Sequence, residues 1–243
     1  MNTAAVGITG HLQELRRRLM IVLAGVAVAS SLAYYWIESV SGFFMAPLLH
    51  ASPLLRKLVY TNLPEAFVTY IKVALFTGVA TTFPLFIQQA WQYIAPGLHR
   101  HEKGFAASVV LFGSTLFLAG LLFGYFVALP GMLRFFMQYA GPDLQPLPRI
   151  GPYLTFVARV CIGFGLAFEI PFFMIMATRG GLLDRRHFSD KRWCSYFGMA
   201  MLAMLLAAGD VFSAGLLCLP LVALYEAGIL GSGLFSRRSR PAG

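Results

Sequence analysis

Acidic residues are scarce in this chain. Asp and Glu together number 10 in 243 residues, and charged residues of all types make up only 12%. That is about half the share usual in a water-soluble domain. With 58% of residues hydrophobic and a mean hydropathy of +0.71, too little polar surface exists to coat a soluble globule. A soluble fold is thereby excluded, and an all-α integral membrane protein is expected. Cysteine is equally sparse. Cys161, Cys194 and Cys218 form no CxxC spacing, and Cys161 and Cys218 lie in apolar runs, so all three read as packing residues with no disulfide or zinc role. Nucleophile elbows, phosphate loops and dinucleotide fingerprints are missing. His99 and His101 are two apart, which on a helix points them in different directions, and the HLQEL stretch at 11–15 lacks the second histidine of a zincin helix. No catalytic residue, metal site or cofactor is expected.

Long apolar runs are what the chain has in quantity. A bilayer core about 30 Å thick takes about 20 apolar residues per helix. Runs of that kind place spans at 19–36, 66–90, 105–129, 153–177, 193–208 and 211–230 within a single membrane domain covering 1–243. They lack the period-two alternation of barrel strands, so six helices are expected. The tripeptide Ala27-Val28-Ala29 would suit signal cleavage, but the run continues through Leu32, Tyr34, Tyr35 and Trp36 and is read as a retained span. The fifth run is short for a bilayer, and only Gly209 and Asp210 separate it from the sixth; such a hairpin should tilt little or thin the membrane locally. Residues 37–65 and 141–152 are apolar and punctuated by Pro47, Pro53, Pro64 and further prolines. They are expected to form an ordered cap with short helices, Pro47 starting or bending one of them.

The basic residues settle the expected topology. Arg16, Arg17, Arg18, Arg100, Lys103, Arg179, Arg185, Arg186, Lys191, Arg192, Arg237, Arg238 and Arg240 fall on one side if six spans alternate. Only Arg56, Lys57, Arg134 and Arg149 fall on the other, while Lys72 and Arg159 lie within spans. The positive-inside rule then puts both termini in the cytoplasm. The formal charge of +9 is topology, and nucleic acid is not needed to explain it.

Several polar residues interrupt this pattern. Glu169 stands inside a span in AFEIPFF, two residues before Pro171. Placing a carboxylate there costs about 2.5–3.5 kcal/mol on insertion scales. Two readings are open: a buried pair with Lys72 or Arg159, or a polar site for an inserted ligand beside the carbonyl that Pro171 frees. Lys72 could equally snorkel and bind Glu65. Gln88 and Gln89, with Pro84, suggest a polar patch at the inner end of the second span. Asp210 suits an N-cap for the last span, reaching the amides of Phe212 or Ser213. Glu14 and Glu102 are carboxylates on one side, each among bases. Glu14 could merely pair with Arg17 or Arg18, and Glu102 could open the third span. Alternatively the two converge on a cationic ligand, since a carboxylate against a guanidinium gives the forked hydrogen bonds that an arginine-bearing peptide demands.

Six ordered stretches carry a family resemblance: HLQELRRRL from 11, EAFVTYIKVALF at 65–76, WQYIAPGLHRHEKGF at 91–105, FGYFVALP at 123–130, FGLAFEIPFF at 164–173 and GDVFS at 209–213. Together they resemble the TatC family, polytopic receptor subunits of the twin-arginine protein translocase. The resemblance implies a multi-pass protein of the cytoplasmic (inner) membrane that binds signal peptides bearing two consecutive arginines. It implies assembly with TatA-like and TatB-like single-span partners into a larger oligomeric complex that exports folded proteins on the proton-motive force, with no cofactor and no nucleic acid. Position by position, Glu14, Arg16 and Glu102 match the signal-peptide site. Pro47, Phe67, Tyr125, Glu169 and Asp210 match positions tied to the cap, to partners or to translocation. Two departures stand out. Ala208 and Gly209 replace two prolines before Asp210, and Gly104 follows Lys103 where a second arginine is common. The alternative from another class is an ion-coupled small-solute carrier using Glu169 and Lys72, but no internal repeat supports it. An intramembrane hydrolase fails for want of a nucleophile and base.

Overall fold

Where lipid offers no hydrogen-bond partner, backbone groups must pair within the segment, and the apolar runs accordingly fold as helices. A computed structural model describes residues 3–51, 58–94, 103–138, 147–179, 183, 185–207 and 210–236. In chain order these form α1 (Thr3–Tyr35), α2 (Ile37–Ala51), α3 (Leu63–Ile94), α4 (Lys103–Phe123), a π-helical turn (Gly124–Ala128), α5 (Leu129–Gln138), α6 (Ile150–Arg179), α7 (Arg185–Asp190), α8 (Arg192–Leu206) and α9 (Val211–Ser236). Five stretches are long and apolar enough to cross a bilayer: Gly10–Tyr35, Leu63–Tyr93, Ala107–Gln138, Ile150–Arg179 and Val211–Gly233. The chain is a multi-pass membrane protein. At 15 residues, α8 is a shorter apolar helix covering about 22 Å, which is consistent with the short fifth span expected from the sequence.

The helices run past the ends of the apolar runs. Because α1 starts at Thr3, Glu14 and Arg16–Arg18 sit inside a helix and not on an approach to one. The third crossing continues through the π turn into α5, to Gln138. The π turn has a local cause. Pro130 lacks an N–H, and its ring would collide with the carbonyl of Phe126 in a regular α-helix. The backbone widens just before it, and the Leu129 N–H reaches back five residues to the Gly124 oxygen.

Small residues set the helix spacing, as expected where lipid supplies no hydrophobic drive between helices. A Cβ on Gly120 would meet the Phe164 carbonyl oxygen at 2.5 Å and the Gly165 Cα at 2.8 Å, so α4 and α6 touch backbone to backbone. Gly78 of α3 packs in the same way on Ser30 of α1. α6 runs through the middle, with Leu154, Val157, Val160 and Phe164 fully buried. On one side it packs with α8 and α9 around Leu206, Leu217, Leu221 and Ile229. On the other it packs with α2, α3 and α5 around Leu48, Val73, Leu129 and Leu133. By contrast α1 lies at the rim, leaning chiefly on α3 and leaving Leu19, Leu23 and Val28 exposed.

Candidate functional site

The amino-terminal part of α1 and the carboxy-terminal part of α3 meet at the basic end of the bundle. They enclose a polar cavity of about 640 Å³ lined by Gly10, Gln13, Glu14, Arg17, Arg18, Ile21, Gln89 and Gln92. Helical spacing explains the lining: Gly10, Gln13, Glu14, Arg17 and Ile21 recur at three- and four-residue steps and share one face. Gln89 and Gln92 do the same on α3. Arg18 is the hub. Its Nε (3.1 Å) and one terminal nitrogen (2.5 Å) both donate to Glu14 Oε1. Its other terminal nitrogen donates to Gln92 Oε1 at 2.8 Å and to Gln89 Oε1 at 3.4 Å. His11 stacks on Tyr93 at 4.5 Å, a second contact between the same two helices. Among the described residues only Oε1 of Glu14 is engaged, and the side chain is 40% exposed. Arg16 lies on the exposed face of α1, outside the cavity lining. Glu102 lies outside the described residues.

Glu169 is buried in α6 at 2% exposure, and among the described residues neither carboxyl oxygen has a hydrogen-bond partner. It faces α4, where a Cβ added to Gly113 would sit 3.5 Å from its Oε2. The expected partners do not reach it. Lys72 is exposed on α3, Arg159 is on the same helix ten residues earlier, and neither forms an ion pair among the described residues. Nor does Lys72 bind Glu65. That carboxylate accepts instead from Arg149 (3.1 Å) and from the Thr61 amide (2.9 Å) and hydroxyl (3.1 Å). The rival won by geometry: Val59 forms a short parallel bridge with Arg149, its N–H donating to Pro148 O at 3.2 Å and its carbonyl accepting the Ile150 N–H at 3.0 Å. This sets Arg149 above the start of α3.

Pro47 and Tyr125, far apart in sequence, meet. Pro47 lies inside α2 and has no N–H to offer the Phe43 carbonyl one turn earlier. The Tyr125 hydroxyl donates to that oxygen at 2.6 Å, and the two rings stack at 4.3 Å. The next carbonyl, Phe44, accepts from the Tyr153 hydroxyl at 3.1 Å. The cap helix α2 is thus latched to the π turn and to α6. Beside the latch lies an apolar cavity of about 440 Å³ between α2, α3, α4 and α6, with Phe43, Phe44, Phe76, Leu121, Tyr125 and Cys161 in its wall. Phe67 takes no part; it is exposed on α3 without a ring partner among the described residues.

Asp210 caps α9. Its Oδ2 accepts the Ser213 amide at 2.9 Å and the Ser213 hydroxyl, and those two bonds, the hydroxyl's first, hold its carboxyl below the ordinary value of 3.8. Sequence reasoning missed Glu226 on α9. Arg192 pairs with it at 3.2 Å and the Tyr196 hydroxyl donates to it at 2.5 Å, tying α8 to α9. One helical step away the Ser195 hydroxyl donates to Tyr225 Oη at 2.8 Å, and Tyr225 in turn donates to the Phe188 carbonyl at 2.9 Å. The available signal was a carboxylate within an apolar run, ALYEAGIL, the same signal that singled out Glu169. Gln92 was missed too, although it lies three residues beyond Gln89 and so on the same helix face.

Among the described residues no group of His, Cys, Asp and Glu could hold a metal ion. What the polar cavity can do is exchange hydrogen bonds around a partly exposed carboxylate. Comparison with known proteins agrees with the order of motifs and helices. Residues 10–220 match the family model for TatC, the Sec-independent protein translocase protein. The chain is 34% identical over 230 residues to the Sec-independent protein translocase protein TatC of Desulforapulum autotrophicum, covering 95% of this chain and 85% of that protein. It is 30% identical to the Escherichia coli K12 protein of the same name, covering 95% and 89%. A crystal structure of the twin arginine translocase receptor TatC superposes with a TM-score of 0.86 at 29% identity, covering 94% of this chain and all of that one. A helical bundle matched over nearly all of its length, by relatives of one name, leaves a single assignment: this chain belongs to the TatC family of protein translocase components.

Proposed function

We propose that this chain is the receptor subunit of a twin-arginine translocase in the cytoplasmic membrane, with both termini on the cytoplasmic side. It binds the arginine pair of a signal peptide in the polar cavity at its basic end. The observation that carries the reading is Glu14: a carboxylate 40% exposed in a cavity, with one oxygen unengaged among the described residues. An arginine needs that kind of acceptor, because its planar fork makes two parallel charge-assisted bonds. Glu102, the residue before Lys103 in the sequence, supplies the second carboxylate, and Arg16 sets the register of α1 at the membrane surface. The surplus of bases at this end supports the orientation through the positive-inside rule.

The chain acts as a binding and scaffolding subunit and not as a catalyst. It joins TatA-like and TatB-like single-span proteins in an oligomeric complex driven by the proton-motive force. Glu169 offers a buried polar group to such a helix, since an unpaired carboxyl among apolar side chains gains most from a new partner. Phe67 presents an exposed ring to the lipid-facing surface, while Pro47, Tyr125 and Asp210 shape the opposite end. Glu14→Gln and Glu102→Gln, each tested by photocrosslinking to a precursor in native membranes, should lose crosslinks to the arginine pair with membrane assembly intact. Full-strength crosslinking in both variants would overturn the receptor role.

A further inference from the structure

Resting on that receptor reading, we propose that Arg18 is a resident stand-in for the peptide's guanidinium, holding Glu14 until an incoming arginine displaces it. The lining raises the problem this solves. Among the described residues it carries two arginines, Arg17 and Arg18, against the one carboxylate of Glu14, so a cationic peptide meets an acceptor already answered by resident charge. Arg18 meanwhile takes one of the two oxygens that the ligand's fork would use: two of its nitrogens converge on Glu14 Oε1. Its third nitrogen is tethered to α3 by Gln92 and Gln89. When the fork is displaced, those two amide oxygens keep the side chain in the cavity and spare it a bare, unpaired charge.

The exchange is feasible because the pair is weak. With side chains 19% and 40% exposed, Arg18 and Glu14 interact partly through solvent, where such pairs contribute little. Exchange also explains a preference for arginine. A guanidinium replaces a guanidinium bond for bond, whereas a lysine ammonium cannot reproduce two nitrogens converging from a planar fork. Arg18 therefore sets a threshold that arginine passes and lysine does not.

The test uses the full chain in lipid nanodiscs and a fluorescent synthetic signal peptide with an Arg-Arg pair. Arg18→Gln should tighten peptide binding about two- to fivefold, the worth of a partly exposed pair. Arg18→Lys keeps the charge but loses the fork, and should retain part of that gain. Unchanged or weaker binding in Arg18→Gln overturns the stand-in role. So does a gain in Arg18→Gln with none in Arg18→Lys, which would reduce Arg18 to a source of repulsion. If Arg18→Gln does not assemble in membranes, Arg18→Lys decides alone, a gain supporting the exchange and its absence refuting it. Failure of the receptor reading looks different: Glu14→Gln would then bind the peptide as tightly as the unaltered chain.

Discussion

The two ends of the bundle hold themselves together in opposite ways. At the basic end, the contacts around Glu14 are side chain to side chain, partly exposed, and built from groups that can find other partners. At the opposite end, contacts engage the backbone itself: the Tyr125 and Tyr153 hydroxyls donate to carbonyls of α2, and Val59 shares a backbone bridge with Arg149. A side-chain pair in water-accessible surroundings exchanges readily, whereas a part-buried carbonyl that loses its donor within a packed helix finds a substitute less readily. One end is made for turnover and the other for permanence. The long close-packed helices between them, above all α4 against α6, keep the two ends in fixed relation.

That contrast can be broken most severely in the middle. Gly120→Leu would drive a side chain into the Phe164 carbonyl and Gly165 Cα, backbone atoms that cannot give way. Overpacking of this kind costs about 1–3 kcal/mol or more, so folded protein recovered in detergent should fall sharply, as read by size-exclusion chromatography. The permanent end is next. Tyr125→Phe leaves the Phe43 carbonyl unpaired, at about 1–2 kcal/mol. Pro47→Ala restores an N–H to that carbonyl, so Tyr125→Phe should cost clearly less in the Pro47→Ala background. Additive effects in a thermal-melting cycle would show that the latch does not exist.

Smaller again is the cap on α9. Asp210→Ala should lower the melting temperature by a few degrees. The sign of its pH dependence follows from a carboxyl held below its ordinary value by the Ser213 hydroxyl and amide. The cap's contribution is complete above pH 3.8 or so and is lost as pH falls through the lowered folded value. The gap between the two proteins should therefore persist from pH 7 to pH 5 and close only in stronger acid. Glu14→Gln should barely move the melting temperature, in keeping with a partly exposed pair, while changing ligand binding most. A large stability loss there would erase the contrast between the ends.

The helices were legible because the apolar runs are long and helical pairing is obligatory in lipid. Their ends were not, since α1 begins at Thr3 and α6 reaches Arg179, and polar residues extend a helix beyond the membrane without breaking it. The π turn before Pro130 was not anticipated, although a proline inside an apolar run was its available signal. The site was half legible. Glu14 among arginines was visible, and so was a pairing with Arg17 or Arg18. That Arg18 also bridges to Gln89 and Gln92 depends on α1 lying against α3, which no local pattern encodes. Glu65 choosing Arg149 over Lys72, and Tyr125 finding Phe43, are likewise products of chain crossings between distant segments.

The most direct measurement pairs a change in the protein with one in its ligand. Peptide affinities for the unaltered chain and Glu14→Gln, each against Arg-Arg and Lys-Lys peptides, form a double-mutant cycle. A carboxylate that reads the arginine fork predicts a coupling of about 1 kcal/mol or more, with Glu14→Gln abolishing most of the preference for arginine. Zero coupling, with the arginine preference intact in Glu14→Gln, would contradict the account.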